Sequence, residues 1–540
     1  MWFKLISALV AIGGLAPLLM QLAGPDANVE LSKETTFITE PLAEDGLPNY
    51  ALAIMEREAK GVTPDTNGAV LFWQGMGASE IGAEDFDRLC GNIGLEFSMC
   101  HAAYDGPGSD AFERKISAWL SSTSSDSAQE ADEGRAKAYV LAAMQSTPWS
   151  DAAIPPAAEW LAENHVRLDL VVAAAKKPRF FSPSPNALND PTIAVLDLDL
   201  FHLHRMRDAT RALLTRAMNR IDAEDFAGAW QDIAACWKLA AHASRGPSLI
   251  HFLMAVAIRK SAGDATLVLL SRQELSPDTL NKIASEFHAF STLETLPGLI
   301  DFGERSYALD FVLRFHTNRL GGLDDEMIKS LGGIRVIPSQ LSDLLRVQNE
   351  WCDRFVGAAR IPELAKRRDE RKRLIQKLKG DYHEAAANGF ANLQNPESDS
   401  HLVAAALAYF QFTSLEAVFY AFDRDEVRNT LLHIAVELAK QRARTGAYPD
   451  NLVDLSPITI DAIPDDPYTN KPFQYARRDD GYILYSVFEN GKDDGGTDCS
   501  GEIVSGEWLP YGEKSDIAYS ESDAVLRSPR LQFDRSQLHR

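Results

Sequence analysis

At 540 residues, 45% of them hydrophobic, the chain is long enough for more than one domain and a sizeable core. Its 54 Lys and Arg stand against 77 Asp and Glu, a formal net charge of -23, so no nucleic acid is expected as a partner: phosphate contacts need concentrated positive charge. Five cysteines over this length exclude a disulfide-stapled scaffold.

Residues 1–27 read as a signal anchor or a signal peptide. Beyond Lys4, an uncharged and largely apolar run extends from Leu5 to Ala23. As a helix it rises about 28 Å, close to the hydrocarbon thickness of a bilayer. Leu22, Ala23 and Gly24 before Pro25 make a poor cleavage site, which favours the anchor. Lys4 on the short side, with Asp26 and Glu30 beyond, predicts a cell-membrane protein that crosses once through residues 5–23 and exports its main body. Cleavage would instead leave a secreted or periplasmic protein.

Residues 28–190 form a mixed N-terminal helical region. A helix is expected over Leu47 to Lys60 and an apolar turn or short helix over Gly68 to Met76, while Gly75, Gly77 and Gly82 lack the strand, spacing and Lys of a phosphate-binding loop. Cys90 and Cys100 are close enough to pair across a loop in an oxidising compartment, and Cys100 beside His101 does not establish a nucleophile and its base. Another helix spans Ser127 to Gln145, with Ser127 and Glu130 at capping-box spacing. Pro155 and Pro156 precede a helix over Ala158 to Asn164, and the Pro- and Asn-rich stretch from Arg179 to Pro191 reads as a connection.

Residues 191–424 form a helical scaffold centred on Leu198 to Leu270. Two amphipathic helices carry the stripes Phe201, Met206, Leu213, Leu214, Ala217, Met218 and Ile233, Cys236, Trp237, Ala240. Asn219 to Asp222 joins them, with Asp222 as N-cap, and Gly246 and Pro247 precede a third helix from Leu249 to Leu270. These pairs suit tetratricopeptide-like packing without a strict repeat period. Further helices are expected over Leu275 to Phe290, Tyr307 to Phe315, Asp324 to Leu331, Pro338 to Phe355, Ile361 to Leu378 and from His401.

The histidines of this region read as surface or helix-end residues. His202 and His204, two apart on a helix, point in different directions and do not make a zinc-protease pair; Asp197 and Asp199 would join them only on a strand. His242 and His251 are separated by a turn. Trp73, Trp230 and Trp237 fit cores. Lys366 to Lys379, eight basic residues against Asp369 and Glu370, reads as a solvated face, with docking of an acidic partner or lipid as the alternative.

Residues 425–515 change in composition. A helix with the apolar face Val427, Leu431, Leu432, Ile434, Ala435, Leu438 and Ala439 ends at Gly446, and strands are expected around Phe473 and Tyr475 and around Ile483, Tyr485 and Val487. Gly446, Tyr448 and Pro449 follow the helix; Pro464, Asp466, Pro467, Asn470 and Pro472 surround a turn; Gly481, Tyr482, Tyr485 and Ser486 precede an acidic glycine loop. In these features the segment resembles the globular domain of type II secretion major pseudopilins. The apolar N-terminus lacks a prepilin cleavage motif, so an appended module is expected rather than a pilus subunit. Residues 516–540 read as a flexible tail. Across most of its length the chain also resembles a group of large exported or anchored planctomycete-type proteins, on Thr35 to Tyr50, Gly61 to Gln74 and Ala229 to Ile250, which implies no activity.

Glu489, Asn490, Asp493, Asp494 and Asp498 crowd oxygen ligands into a loop that Gly491, Gly495 and Gly496 allow to turn tightly. Hard oxygens suit calcium, and the pseudopilin resemblance implies calcium in a loop at this place, although the spacing is not that of an EF-hand. An unmetallated acidic turn is the alternative. The whole reads as mainly α, a multi-helix and possibly repeat-like body carrying a small α/β pseudopilin-like module. The expected function is an exported, membrane-anchored helical scaffold or binding protein with a structural calcium module, engaging an envelope protein or surface polymer. An exported hydrolase assembled from separated helices, or a secretion- or pilus-associated component, are the alternatives. No catalytic motif identifies a reaction.

Overall fold

In the computed structural model, the described residues are 29–528 except 79–80, 124–129, 191, 291–295, 317–340, 392–395, 456–462, 479–480, 488–492 and 494–523. The apolar run Leu5–Ala23, Ser127 of the capping box, the helix expected from Asp324 to Leu331 and Cys499 lie outside them. The protein is mainly α. Among the described residues, no helix is long and apolar enough to cross a membrane.

The N-terminal helices are α1 (Tyr50–Ala59), α2 (Gly68–Met76), α3 (Ala83–Ile93), α4 (Asp110–Thr123), α5 (Glu130–Ser146), α6 (Pro155–Ala175) and α7 (Pro185–Asn189). Asn67 caps α2 by accepting the Ala69 N–H at 3.1 Å, and also exchanges hydrogen bonds of 2.9 Å with the backbone of Phe181. Trp73 donates to Ser182 Oγ at 2.9 Å. One side chain thus starts a helix while two hold the extended strap Pro178–Ser182 against it. α6 runs on beyond the expected end at Asn164, because Leu168, Val171, Val172 and Ala175 continue an apolar face that is buried against α2. α7 lies inside the stretch read as a connection.

The centre consists of α8 (Phe201–Asp222), α9 (Phe226–Ala243) and α10 (Leu249–Leu270), each packed on the next. The N-cap of α9 is Asp225 rather than Asp222: α8 runs through Asp222, Glu224 turns the chain at φ 59°, and the Asp225 carboxylate accepts the Gly228 N–H at 2.9 Å. α11 (Pro277–Phe290) follows, with the Ser276 hydroxyl accepting the Thr279 N–H at 3.1 Å. A π-helical segment, Leu299–Glu304, leads into α12 (Arg305–His316). Beyond it come α13 (Leu341–Ala359), α14 (Leu364–Ala391), α15 (Pro396–Phe412) and α16 (Leu415–Thr445).

The Lys366 to Lys379 stretch lies on α14, and its charges are largely used internally. Arg367 reaches Asp423 at 2.9 Å and Arg371 faces the same carboxylate at 3.5 Å, while Lys366, Arg373 and Lys377 pair with Glu363, Glu370 and Asp381 at the surface. That is the solvated-face reading, with a buried inner edge.

α16 is one 31-residue helix that begins ten residues before Asp425, where the sequence-based helix starts. Gly446 ends it at φ 84°, its N–H bonded to the Arg442 carbonyl at 2.8 Å. Arg442 in turn donates to the carbonyls of Leu270 and Ser271, closing the end of α10. Three antiparallel strands follow, β1 (Gln474–Arg478), β2 (Gly481–Ser486) and β3 (Ala524–Ser528), with β2 central. Register pairs Arg478 with Gly481 and Tyr485 with Val525. β2 is buried along its whole length because α16 packs on it. The segment read as a tail therefore supplies the third strand. One continuous apolar core joins Trp73, Trp230, Trp237, Leu431 and Leu484, so the sheet, the central helices and the N-terminal helices share an interior.

Candidate functional site

Three consecutive packed helices joined by tight turns run up, down and up, which places the starts of α8 and α10 at the same end as the finish of α9. His202 is the second residue of α8, His251 the third of α10, and His242 lies one residue before the end of α9. Their rings line a cavity of about 500 Å³. The other walls come from Ile54, Arg57 and Glu58 on α1, the strap Pro178–Ser182, the turn Arg245–Pro247, and Leu299, Phe302 and Gly303 of the π-helical segment. π-turns inside helices concentrate at functional sites.

These histidines are helix-end residues, as expected, and His204 is exposed, but His242 and His251 are buried. His202 Nε2 lies 3.2 Å from His251 Nε2, and His251 Nδ1 lies 2.7 Å from Ser248 Oγ. His242 is buried, its ring tilted against Phe180 with centroids 5.6 Å apart and set against the backbone of Ala175 and Lys177. Burial holds the His202 and His242 imidazoles down at about 4, helped by the charges of His204 and Arg245 respectively, and pushes His251 well below its ordinary value. All three are neutral at pH 7. Asp197 and Asp199 do not join them: the Asp199 carboxylate accepts the Asn186 N–H at 3.1 Å, and the Asp197 carbonyl takes the Asn186 side-chain amide.

The carboxyl groups here are also unusual. Burial raises Glu58 to about 8, with the Arg57 charge opposing the shift only in part, and raises Glu304 to about 7 although Glu304 accepts the Leu249 N–H at 2.9 Å. Glu58 is therefore mostly protonated at pH 7. Since its folded pKa lies above the ordinary carboxyl value, the folded chain holds an extra proton between roughly pH 4.5 and 8, and the stability tied to that proton is present below this window and lost as pH rises through about 8. Glu58→Gln is expected to leave the melting temperature unchanged near pH 4.5 and to raise it relative to wild type near pH 9. A melting curve with the same pH dependence in both proteins would contradict this.

Three arginines stand around the opening. Arg57 stacks on Phe302 at 4.0 Å, Arg179 donates to the Lys60 carbonyl at 3.2 Å, and Arg245 donates to the Pro178 carbonyl at 3.1 Å. None of them forms a salt bridge among the described residues. Two glycines keep the wall tight: a Cβ on Gly246 would lie 2.0 Å from the His251 ring, and one on Gly303 would lie 1.5 Å from the Pro247 carbonyl oxygen.

Of the calcium ligands expected from sequence, Glu489, Asn490, Asp494 and Asp498 lie outside the described residues. Asp493 is described, and its Oδ1 accepts the Tyr485 hydroxyl at 2.7 Å, which ties the loop to β2. Among the described residues, no group of three or more His, Cys, Asp or Glu side chains is arranged to hold a metal. Asp466 sits in a turn, accepting from Tyr468 N–H at 3.0 Å and Ser486 Oγ at 2.9 Å, which is the turn role read from its prolines. Cys90 and Cys100 face each other with sulfurs 4.0 Å apart, and Cys236 is a core thiol.

Sequence reasoning passed over the cavity because its residues come from six separated segments. The usable signal was topological: in an up-down-up trio, the histidines at positions 202, 242 and 251 fall at one end. Fold and site together define an α-helical protein with a cavity lined by three histidines and three arginines. No family model, curated protein or solved structure matches the chain.

Proposed function

We propose that the chain is an exported, membrane-anchored helical binding protein whose cavity takes a small organic anion with an apolar body. The observation that carries this reading is the set of three arginines that form no salt bridge among the described residues, in a protein of net charge -23. In so acidic a chain, guanidiniums gathered at one opening without a carboxylate partner there favour an anionic visitor. Protonation of Glu58 removes a charge that opposes Arg57. Phe180, Phe181 and Phe302 offer apolar contact to the body of the ligand. 4-Hydroxybenzoate, a small anion with a flat apolar body, is the probe of choice. Replacing Arg57, Arg179 and Arg245 together by Met is expected to weaken its binding tenfold or more, read by fluorescence titration; unchanged affinity would sink the anion reading.

The run Leu5–Ala23 would hold this body outside the membrane, where an envelope protein or surface polymer is the expected partner. The helix ending at Gly446 and the antiparallel strands behind it agree in order with a pseudopilin-like module. Calcium at the acidic turn completes the proposal. Calorimetric titration of the full chain with calcium is expected to give saturable binding that is lost on replacing Asp493 and Asp494 by Ala. Absence of binding by the folded wild-type protein would leave an unmetallated turn.

A further inference from the structure

We infer that Ser248 is a nucleophile, and that the cavity hydrolyses an ester whose acyl part carries a separate anionic group. The substrate class rests on the anion reading of the arginines; the nucleophile rests on its own geometry. Ser248 occupies the N-cap position of α10, where a serine hydroxyl normally accepts a backbone N–H of the first turn. Here it caps nothing. The Leu249 N–H, the first of the helix and out of reach of an N-cap side chain, is taken by Glu304 from the π-helical segment. The Ser248 hydroxyl meets the His251 ring, at 2.7 Å, in place of a backbone N–H. His251 is in turn met through its other ring nitrogen by His202, at 3.2 Å.

Nucleophile, base and a third group orienting the base form the arrangement that activates a serine. With His251 donating Nε2–H to His202, its Nδ1 is the acceptor that Ser248 O–H requires. That tautomer is open to it because burial keeps both rings neutral at pH 7. Gly246 and Gly303 let backbone approach closely enough to hold His251 and the Pro247–Ser248 turn in place. Ser248 is half-buried, between the cavity-lining residues Pro247 and His251.

In the first step Ser248 Oγ bonds to the ester carbonyl carbon while its proton passes to His251 Nδ1. The tetrahedral oxyanion receives hydrogen bonds from the first-turn N–H groups of α10 beyond Leu249, whose own N–H stays with Glu304. The carbon–oxygen bond to the leaving alcohol then breaks, and the alcohol departs with the proton from His251. Water gives a proton to His251 and bonds to the acyl carbon; the acyl–Oγ bond then breaks, His251 returns the proton to Ser248 Oγ, and a carboxylic acid departs. The acyl part's anionic group faces the arginines throughout.

The test is to treat the full-length wild-type chain with an alkyl fluorophosphonate and map the adduct by mass spectrometry. Stoichiometric phosphonylation at Ser248, with fluoride released, is the expected result. It should vanish in Ser248→Ala, and His251→Gln should slow it at least a hundredfold. Because Ser248→Ala removes only one hydroxyl, a retained wild-type melting curve shows that the loss is chemical. His202→Gln, a positioning change, should shift the pH profile of labelling. Turnover of 4-nitrophenyl hemisuccinate, an anionic ester, is expected to exceed that of 4-nitrophenyl acetate at least tenfold. Folded wild-type protein without an adduct at Ser248 overturns the nucleophile, even if 4-hydroxybenzoate binds. An adduct at Ser248 in a chain that does not bind 4-hydroxybenzoate and shows no preference for the anionic ester keeps the nucleophile and overturns the substrate class.

Discussion

Replacing Asp232 by Ala is expected to cost about 3–5 kcal/mol of stability, the range for breaking a buried ion pair by removing one partner. Asp232 is fully buried on α9 and binds two arginines of α8: Arg216 at 2.7 and 3.0 Å and Arg220 at 2.8 Å. Arg216 is itself buried, so the substitution strands its charge in the core. Asp169 on α6, at 2.8 Å from the other side of that guanidinium, is largely exposed and neutralises it only in part. Urea unfolding measures the loss. Adding Arg216→Met to Asp232→Ala should recover a large share of it, because the destabilisation comes from the uncompensated charge and not from the missing pair as such. A loss below about 1 kcal/mol would mean that the two arginines reach solvent when Asp232 is absent.

Gly303→Ala has the second large effect, and it falls on the cavity. Its added methyl would meet the Pro247 carbonyl oxygen at 1.5 Å, and both partners are backbone, so no side-chain rotation relieves the contact. The π-helical segment and the turn before α10 must separate. Overpacking of this kind costs about 1–3 kcal/mol at least. The same separation moves Glu304 away from Leu249 and shifts the mouth of the cavity, so binding of 4-hydroxybenzoate should fall tenfold or more. Gly357→Ala is the control: it lies within α13 with nothing near the new methyl, and is expected to be neutral or slightly stabilising. Equal behaviour of the two variants would contradict the assigned packing.

Much of the helical architecture was legible because local chemistry dictates it. Leu249–Leu270 begins after Gly246 and Pro247 and ends as expected, Ser276 and Pro277 start α11, and Gly446 stops α16. Boundaries slipped where two local signals compete. Asp222 and Asp225 are both acceptable caps, and the selection of Asp225 depends on Glu224 adopting a left-handed conformation, which composition does not announce. β3 was not legible, since pairing Ala524–Ser528 with β2 depends on a partner some forty residues earlier in the chain.

The candidate site was hardly legible at all. Taken singly, His202, His242 and His251 have ordinary sequence surroundings, and their neutrality is produced by burial among α8, α9 and α10. The roles of Ser248 and Glu304 were equally hidden: a serine at an N-cap predicts capping, whereas its hydroxyl meets the His251 ring and Glu304 arrives from a distant segment to hold the Leu249 N–H.

The central claim, that this cavity binds a small organic anion, is tested most directly by calorimetric titration of the full chain with 4-hydroxybenzoate at pH 6 and pH 9. At pH 6 the carboxyls of Glu58 and Glu304 are protonated, the three imidazoles are neutral, and the arginines face the ligand unopposed. At pH 9 both carboxylates are ionised and repel it. Saturable one-to-one binding at pH 6, weakened at least about fivefold at pH 9, is the predicted result, since a single like charge at this range is worth about 1 kcal/mol. No binding at pH 6, or binding that strengthens at pH 9, would contradict the account.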